Sequence, residues 1–277
     1  MIEPLQRDDV LLADISGTPR EAGRLDLWWL GQSGYLVQHD RLRTVFDPYL
    51  SDSLTTKYAG TEKPHDRISG RVIEPDRLTD VRIVTSTHGH TDHLDAETLG
   101  PMFAVNPHAA LVYAKTTQSL VDARLESASV QQIAMTAGDR AEFDDATVHA
   151  VAAAHDEIEV DEHGDHRYVG YVLETGVFTV YHSGDGVPYD GLAEALQSFD
   201  IDLAILPING KVGNMNGEQA ARLADRIGAE LVVPCHYDMF AFNTADPNDQ
   251  FVPTCEEVGQ AYRVLELGQR LSLTQSD

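Results

Sequence analysis

Nine consecutive residues, Thr87-His88-Gly89-His90-Thr91-Asp92-His93-Leu94-Asp95, hold three histidines and two carboxylates directly after the apolar run Val81-Arg82-Ile83-Val84. Packing does not ask for such a cluster, because imidazoles and carboxylates contribute little to a core. Metal binding does: neutral imidazole and carboxylate are preferred donors for zinc, iron or manganese, and a tight turn can aim several at one point. A solvated polar loop is the plainer alternative. It leaves unexplained the further ligand-type residues at the ends of other strand-like runs. His155 closes the run that starts at Val148, Asp185 follows Val180-Tyr181-His182-Ser183-Gly184, and His236 follows Leu231-Val232-Val233-Pro234-Cys235. Together His88, His90, Asp92, His93, His155, Asp185 and His236 describe a dinuclear metal centre.

The elements that must carry these residues alternate between strand and helix. Leu27-Trp28-Trp29-Leu30, Tyr35-Leu36-Val37 and Thr44-Val45-Phe46 are β-rich runs separated by Gly31, Gly34 and a His39-Asp40 turn, a meander entering a first sheet. A strand over 81–86 delivers the histidine-rich loop, and Asp95 stands where a helix N-cap belongs, with Glu97 in the first turn. A strand near 110–114, a helix near 116–127 and a strand near 130–134 follow. In the second half, strands near 146–154, 168–174 and 177–182 precede a helix near 190–198. Strand 203–206 leads to a helix over 217–228, begun by Asn216 and ended at Gly228. Strand 230–234 carries His236. Residues 1–24 read as an N-terminal extension with a short surface helix, and 25–277 as one α/β domain without a dividing linker. The polar stretch 51–76 lacks periodicity, and a segment that long is usually functional or mobile.

The pattern His88-x-His90-x-Asp92-His93, then His155, Asp185 and His236 in that order, resembles the metallo-β-lactamase superfamily. Gly31-Gln32-Ser33-Gly34, Asp47-Pro48-Tyr49-Leu50-Ser51-Asp52, Ala153-Ala154-His155-Asp156, His182-Ser183-Gly184-Asp185 and Pro234-Cys235-His236-Tyr237-Asp238-Met239-Phe240 are similar to its L-ascorbate-6-phosphate lactonase branch. The likeness runs from about Trp28 to Phe251. It implies a four-layer αββα sandwich, two mixed sheets with helices outside and the metal cleft at one edge. It implies further that His88, His90 and His155 hold one divalent ion and Asp92, His93 and His236 a second, with Asp185 bridging. Zinc, manganese and iron all suit these donors. A metal-bridging hydroxide would then cleave a small cyclic ester, or a related phosphorylated substrate, with Asp92 handling the proton. Asp47 matches a position that braces the metal loop; Asp95 does the same or caps its helix.

Contacts to substrate are expected from Gln32, Asn209, Lys211 and Tyr237. Lys211 is either an anion anchor or a solvated loop lysine. Tyr237 either donates to a developing oxyanion or simply packs. His182, Asp156 and Asp238 have plain structural or surface readings of equal standing. One departure separates this chain from the lactonase branch. The loop after Asn209 is shorter, and Lys211 is its only cation, at the point where a sugar phosphate would be held.

A chain of 277 residues with 42% hydrophobic content can bury one large core. Its formal charge is −25, with 28 Asp, 17 Glu and lysine only at 57, 63, 115 and 211. Acids spread along the whole chain suit a high-salt cytosol or reflect an arginine-favouring coding bias. Either way the field repels polyanions, and nucleic acid is excluded as a partner. A small-molecule substrate is expected, and a homo-oligomer is left open. No long apolar segment and no basic-then-apolar start is present, so neither a membrane span nor a signal peptide is expected, and the cytoplasm is. Two cysteines, Cys235 and Cys255, exclude a disulfide framework. Two other functions are compatible with such a fold. A phosphodiesterase of the same fold is disfavoured by the charge and by the lack of an inserted exosite between Asp185 and His236. A non-catalytic metal-binding protein is disfavoured by the intact ligand set.

Overall fold

The computed structural model describes residues 1–125 and 130–275. In chain order its elements are α1 (Asp8–Gly17), β1 (Arg24–Gly31), β2 (Gly34–His39), β3 (Leu42–Phe46), α2 (Ser53–Lys57), β4 (Ile83–Ser86), α3 (Ala96–Val105), β5 (Ala110–Ala114), α4 (Gln118–Arg124) and β6 (Gln131–Met135). The second half continues with β7 (Arg140–Phe143), β8 (Ala146–Ala152), β9 (Ala154–His155), β10 (Glu157–Ile158), β11 (Val169–Glu174), β12 (Thr179–His182), α5 (Leu192–Leu196), β13 (Leu203–Pro207), α6 (Gly217–Arg226), β14 (Leu231–Cys235), α7 (Phe251–Val258) and β15 (Arg270–Thr274).

All the strands but β9 and β10, which pair with each other, form two mixed sheets flanked by helices, the αββα sandwich expected. The first sheet has the order β15-β1-β2-β3-β4-β5-β6, antiparallel as far as β3 and parallel from there on. The second has the order β14-β13-β12-β11-β8-β7, parallel from β14 to β12 and antiparallel beyond. Strands buried on both faces read as continuous apolar runs, and Trp28 and Trp29 in β1 are accordingly both fully buried. The sheets are clasped by polar as well as apolar contacts. Tyr35 Oη donates to Pro234 O at 2.7 Å, Tyr171 Oη to Ser86 O at 3.1 Å, and Phe46 stacks on the His182 ring at 5.2 Å.

Several boundaries fall inside those expected, for local reasons. The helix near 116–127 narrows to α4, preceded by a tighter turn over 115–117; positions 126 and 127 lie outside the described residues. Val121 and Leu125 are buried as the helical spacing requires, but Leu120 is exposed. α6 begins as expected, with a reciprocal cap in which Asn216 Oδ1 accepts from Gln219 N and Gln219 Oε1 from Asn216 N. Gly228 follows it at φ 68°. Asp95 occupies the N-cap position of α3, but its carboxylate does not cap. It accepts hydroxyls instead, from Ser53 at 2.8 Å and Thr98 at 2.5 Å. That ties α2 to the start of α3.

The first 24 residues are tied into the domain. Leu11 and Ile15 of α1 are buried, and Asp14 Oδ2 accepts the Trp28 indole N–H at 2.8 Å. β7, α7 and β15 were not anticipated from the sequence. β15 pairs antiparallel with β1 and closes the outer edge of the first sheet. Among the described residues no helix is long and apolar enough to cross a membrane.

Candidate metal centre

The site gathers where the carboxyl ends of β3, β4, β12, β13 and β14 meet the β8–β9 corner, the usual crevice of sheets with parallel strands. All seven residues picked out by type and spacing arrive there. Their ligand atoms fall into three overlapping groups, each within 4.8 Å: His88, His93 and Asp185; His90, His155 and Asp185; Asp92, His93 and His236. The half-site expected of Asp92, His93 and His236 is present as a group. In the other half, His90 and His155 share Asp185, while His88 lies against His93 and the same carboxylate. His88 and His90 also meet directly, Nε2 to Nδ1 at 2.8 Å.

The donor set fits divalent cations. His93 Nε2 and His236 Nε2 stand 3.2 and 2.7 Å from Asp185 Oδ1. None of these three buried atoms, nor His155 Nε2, has an aligned hydrogen-bond partner. Buried polar atoms without partners are costly. Cations held by these groups would supply the missing partners. Electrostatics point the same way. Burial opposes charge on His93, but Asp185 and Asp92 outweigh it and lift its proton affinity well above the ordinary value. Asp185 would be raised by burial, yet His236 and His93 hold it well below the carboxylate range. Positive charge beside Asp185 is therefore favoured, as a proton on His93 or as a cation in its place. His88 is driven far below its usual pKa by burial and then by His93, which leaves it neutral, the form that ligates.

Behind the ligands stands Asp47, fully buried at φ 36°. Its Oδ2 accepts from His93 Nδ1 at 2.7 Å, and its oxygens also take the hydroxyls of Thr85 and Thr87 and the Thr87 N–H. This directs the His93 Nε2 lone pair at the site. His182 is structural. It donates from Nε2 to Ser33 O at 2.9 Å and accepts Gly184 N–H at Nδ1, so it buttresses the turn that presents Asp185. That turn needs glycine: Gly184 has φ 62°, and a Cβ there would lie 2.7 Å from Thr87 Cβ. Gly213 (φ 75°) lies flat on His155, whose Nδ1 would be 2.3 Å from an added Cβ.

The candidate substrate contacts divide. Lys211 lines a cleft of about 610 Å³ that has His90, Asp92, Asp185 and His236 in its wall. Gln32 does not reach it. It is buried at φ 51°, with Nε2 2.9 Å from Asp92 Oδ2 and 3.1 Å from His236 Nδ1, and so it spaces two ligands. Asn209 is buried too and donates to Asn243 Oδ1 at 2.6 Å, leaving Asn243 to face the cleft. Tyr237 is turned away: its hydroxyl donates to Leu265 O at 2.5 Å and its ring stacks on Trp29 at 4.1 Å. The packing alternative is the one that the geometry supports, because that hydroxyl is already committed in the core. Of the cations in 51–76, Lys57 and Lys63 line the cleft, whereas Arg67 is engaged by Asp52 and Ser51 O, and Arg71 by Glu74.

Several residues at the site were not anticipated. Arg124, at the end of α4, donates to Gly89 O and Leu94 O at 3.0 and 2.7 Å and so holds both ends of the histidine loop. Tyr168 stacks on His155 at 4.7 Å. Tyr58, His65, Phe240 and Phe242 form an aromatic wall opposite the metal ligands. Phe240 ends one of the segments shared with the lactonase branch, but no motif marks the others; Arg124, in particular, reaches Gly89 and Leu94 from 35 and 30 residues away.

A sequence model of the beta-lactamase superfamily domain matches residues 26–236. The chain is 30% identical over 228 residues to a UPF0173 metal-dependent hydrolase of Alkaliphilus metalliredigens, covering 80% of this chain and 90% of that one. Among solved structures it is similar to Igni18, a metallo hydrolase of Ignicoccus hospitalis, with TM-score 0.68, 23% identity, and coverage of 91% of this chain and 100% of that one. It is also similar to an isothiocyanate hydrolase from Delia radicum gut bacteria, with TM-score 0.70, 19% identity and coverage of 90% and 99%.

Proposed function

The chain belongs to the β-lactamase superfamily and to its metal-dependent hydrolases, and from there we propose that it opens small cyclic esters, using two divalent ions held by His88, His90, Asp92, His93, His155, Asp185 and His236. The observation that carries this reading is the convergence of these seven side chains into three overlapping groups, four of the seven lining one small-molecule-sized cleft, with four buried ligand-type atoms left without an aligned hydrogen-bond partner. Bound there, such ions supply Lewis acidity and bring the pKa of a coordinated water close to neutrality. The protein's own residues do the rest. Asp185, whose Oδ1 lies near both His93 Nε2 and His236 Nε2, would offset the charge of cations held there. Asp92 has one oxygen tied to Gln32 and also faces the cleft, so it is placed to take a proton and return it to the leaving oxygen. Asp47 keeps His93 in its ligating tautomer, and Arg124 fixes the loop that carries four of the candidate ligands.

Lactone hydrolysis is favoured by the likeness of five segments to the lactonase branch. A phosphodiester of nucleic acid is disfavoured by the charge of −25. The fold is shared with an isothiocyanate hydrolase, so that electrophile belongs in the test as well. Purified protein should carry about two divalent ions per chain and hydrolyse members of a lactone panel. Chelation, or Asp185→Asn, should remove both metal and turnover. Turnover confined to phosphodiesters, β-lactams or an isothiocyanate would replace the lactone assignment. Failure to bind metal at all would overturn the reading.

A further inference from the structure

Lysine is scarce in this chain, and its placement is uneven. Of four lysines, three, Lys57, Lys63 and Lys211, line the metal cleft. The fourth, Lys115, is paired with Asp165 at 2.8 Å. Among the described residues none of the three cleft lysines forms an ion pair, although the chain has 45 carboxylates to offer. Lys211 donates to Phe242 O at 3.2 Å, and Lys57 lies 5.2 Å from the centre of the Tyr58 ring. Arg124 adds a fourth cation to the lining. Among the described residues the only carboxylates in the lining are Asp92 and Asp185, both candidate metal ligands. The cleft is thus locally positive on a molecule whose surface field is strongly negative.

The lysines come from two separate stretches of chain, Lys57 at the end of α2. Lys57 and Lys63 belong to the segment after β3, and Lys211 to the loop after β13. Unpaired cations converging from different stretches point to a ligand that supplies the missing charge. The aromatic wall supplies the other half of the recognition. Tyr58 stacks on His65 at 4.2 Å, His65 meets Phe242 edge-on at 4.5 Å, and Phe240 lies within 5.3 Å of the same imidazole. A flat apolar group fits against such rings.

We propose that the substrate is an amphiphilic anion: a small ester with a carboxylate or phosphate held by Lys57, Lys63 and Lys211, and a planar apolar body lying on Tyr58, His65 and Phe242. This rests on the hydrolase reading for the bond that is cleaved, and not for the binding itself. The lysines are exposed and flexible, so each contributes modestly alone; three acting on one charge set the selectivity.

The test is a calorimetric titration of metal-loaded protein with benzoate, phenyl phosphate, acetate and benzyl alcohol, at low and molar salt. Benzoate or phenyl phosphate should bind roughly tenfold or more tighter than either acetate or benzyl alcohol, and the advantage over benzyl alcohol, the one that rests on charge, should shrink in molar salt. Comparing the two aryl anions tells carboxylate from phosphate. The triple variant Lys57→Gln, Lys63→Gln, Lys211→Gln, at exposed positions, should lose the advantage, while Lys115→Gln should keep it. Equal affinity for benzoate and benzyl alcohol would overturn the proposal. So would a triple variant that binds like wild type, because the metals alone would then account for the anion. Lysine-dependent aryl-anion binding without hydrolysis of any ester would refute the hydrolase reading and leave this one standing.

Discussion

Asp47 takes a left-handed backbone past the end of β3 and spends both oxygens on the metal loop. Burial would raise its pKa, but the His93 hydrogen bond, with the nearby His182, holds it below the usual carboxylate value. An ionised acceptor at Nδ1 is what keeps His93 Nε2 free to ligate. Asp47→Asn keeps the shape and weakens that acceptor. Metal affinity should fall by about 10–100-fold, read by competition with a chromogenic chelator. Unchanged affinity would mean that Thr87 and packing orient His93 without help from a carboxylate. The same scale decides Tyr237, whose position beside His236 suggested an oxyanion donor. A hydroxyl that already donates to Leu265 O and accepts Leu265 N–H within the core is not available to substrate.

At the scale of elements, the ends of strands bring ligands close and the loops between them set the fine geometry. The turn over 209–215 is held by Asn214 Oδ1, which accepts Gly186 N–H, and by the Gly210 and Met215 backbones. It presses Gly213 against His155. Gly213→Ala has nowhere to put its methyl and must also strain a backbone at φ 75°. The variant should fold but bind metal more weakly, because His155 has to swing aside. Metal content and a thermal melt of the metal-free protein separate the two effects. Full metal content in that variant would show that the turn can retreat. Gln32 works similarly for the opposite half-site, spacing Asp92 from His236.

For the whole molecule, the excess of negative charge is the dominant feature. Forty-five acids against 20 bases repel one another most at low ionic strength, where the Debye length is long. The melting temperature should rise from low to molar salt. A flat response would assign the composition to coding bias instead of to a saline cytosol. The same field bears on the proposed substrate: an anion approaching a surface of net charge −25 is repelled on balance, and the mouth lined by Lys57, Lys63 and Lys211 is where the proposal has it received.

The sequence by itself determined the seven ligand-type residues, the order of most strands and the sandwich they build. Ligand chemistry admits few residue types, and buried strands must be apolar, so both leave local marks. The capping of α6 by Asn216 was legible for the same reason, since a helix start is a local event. What only the tertiary structure decided lies between distant segments. Arg124 reaches the histidine loop across 30 or more residues, Tyr168 covers His155, and Lys57 and Lys63 meet Lys211 over one cleft. The direction in which a side chain points is equally non-local. Gln32 and Tyr237 sit beside the right motifs, yet they face inward because their partners, Asp92 and Leu265, arrive from elsewhere in the chain.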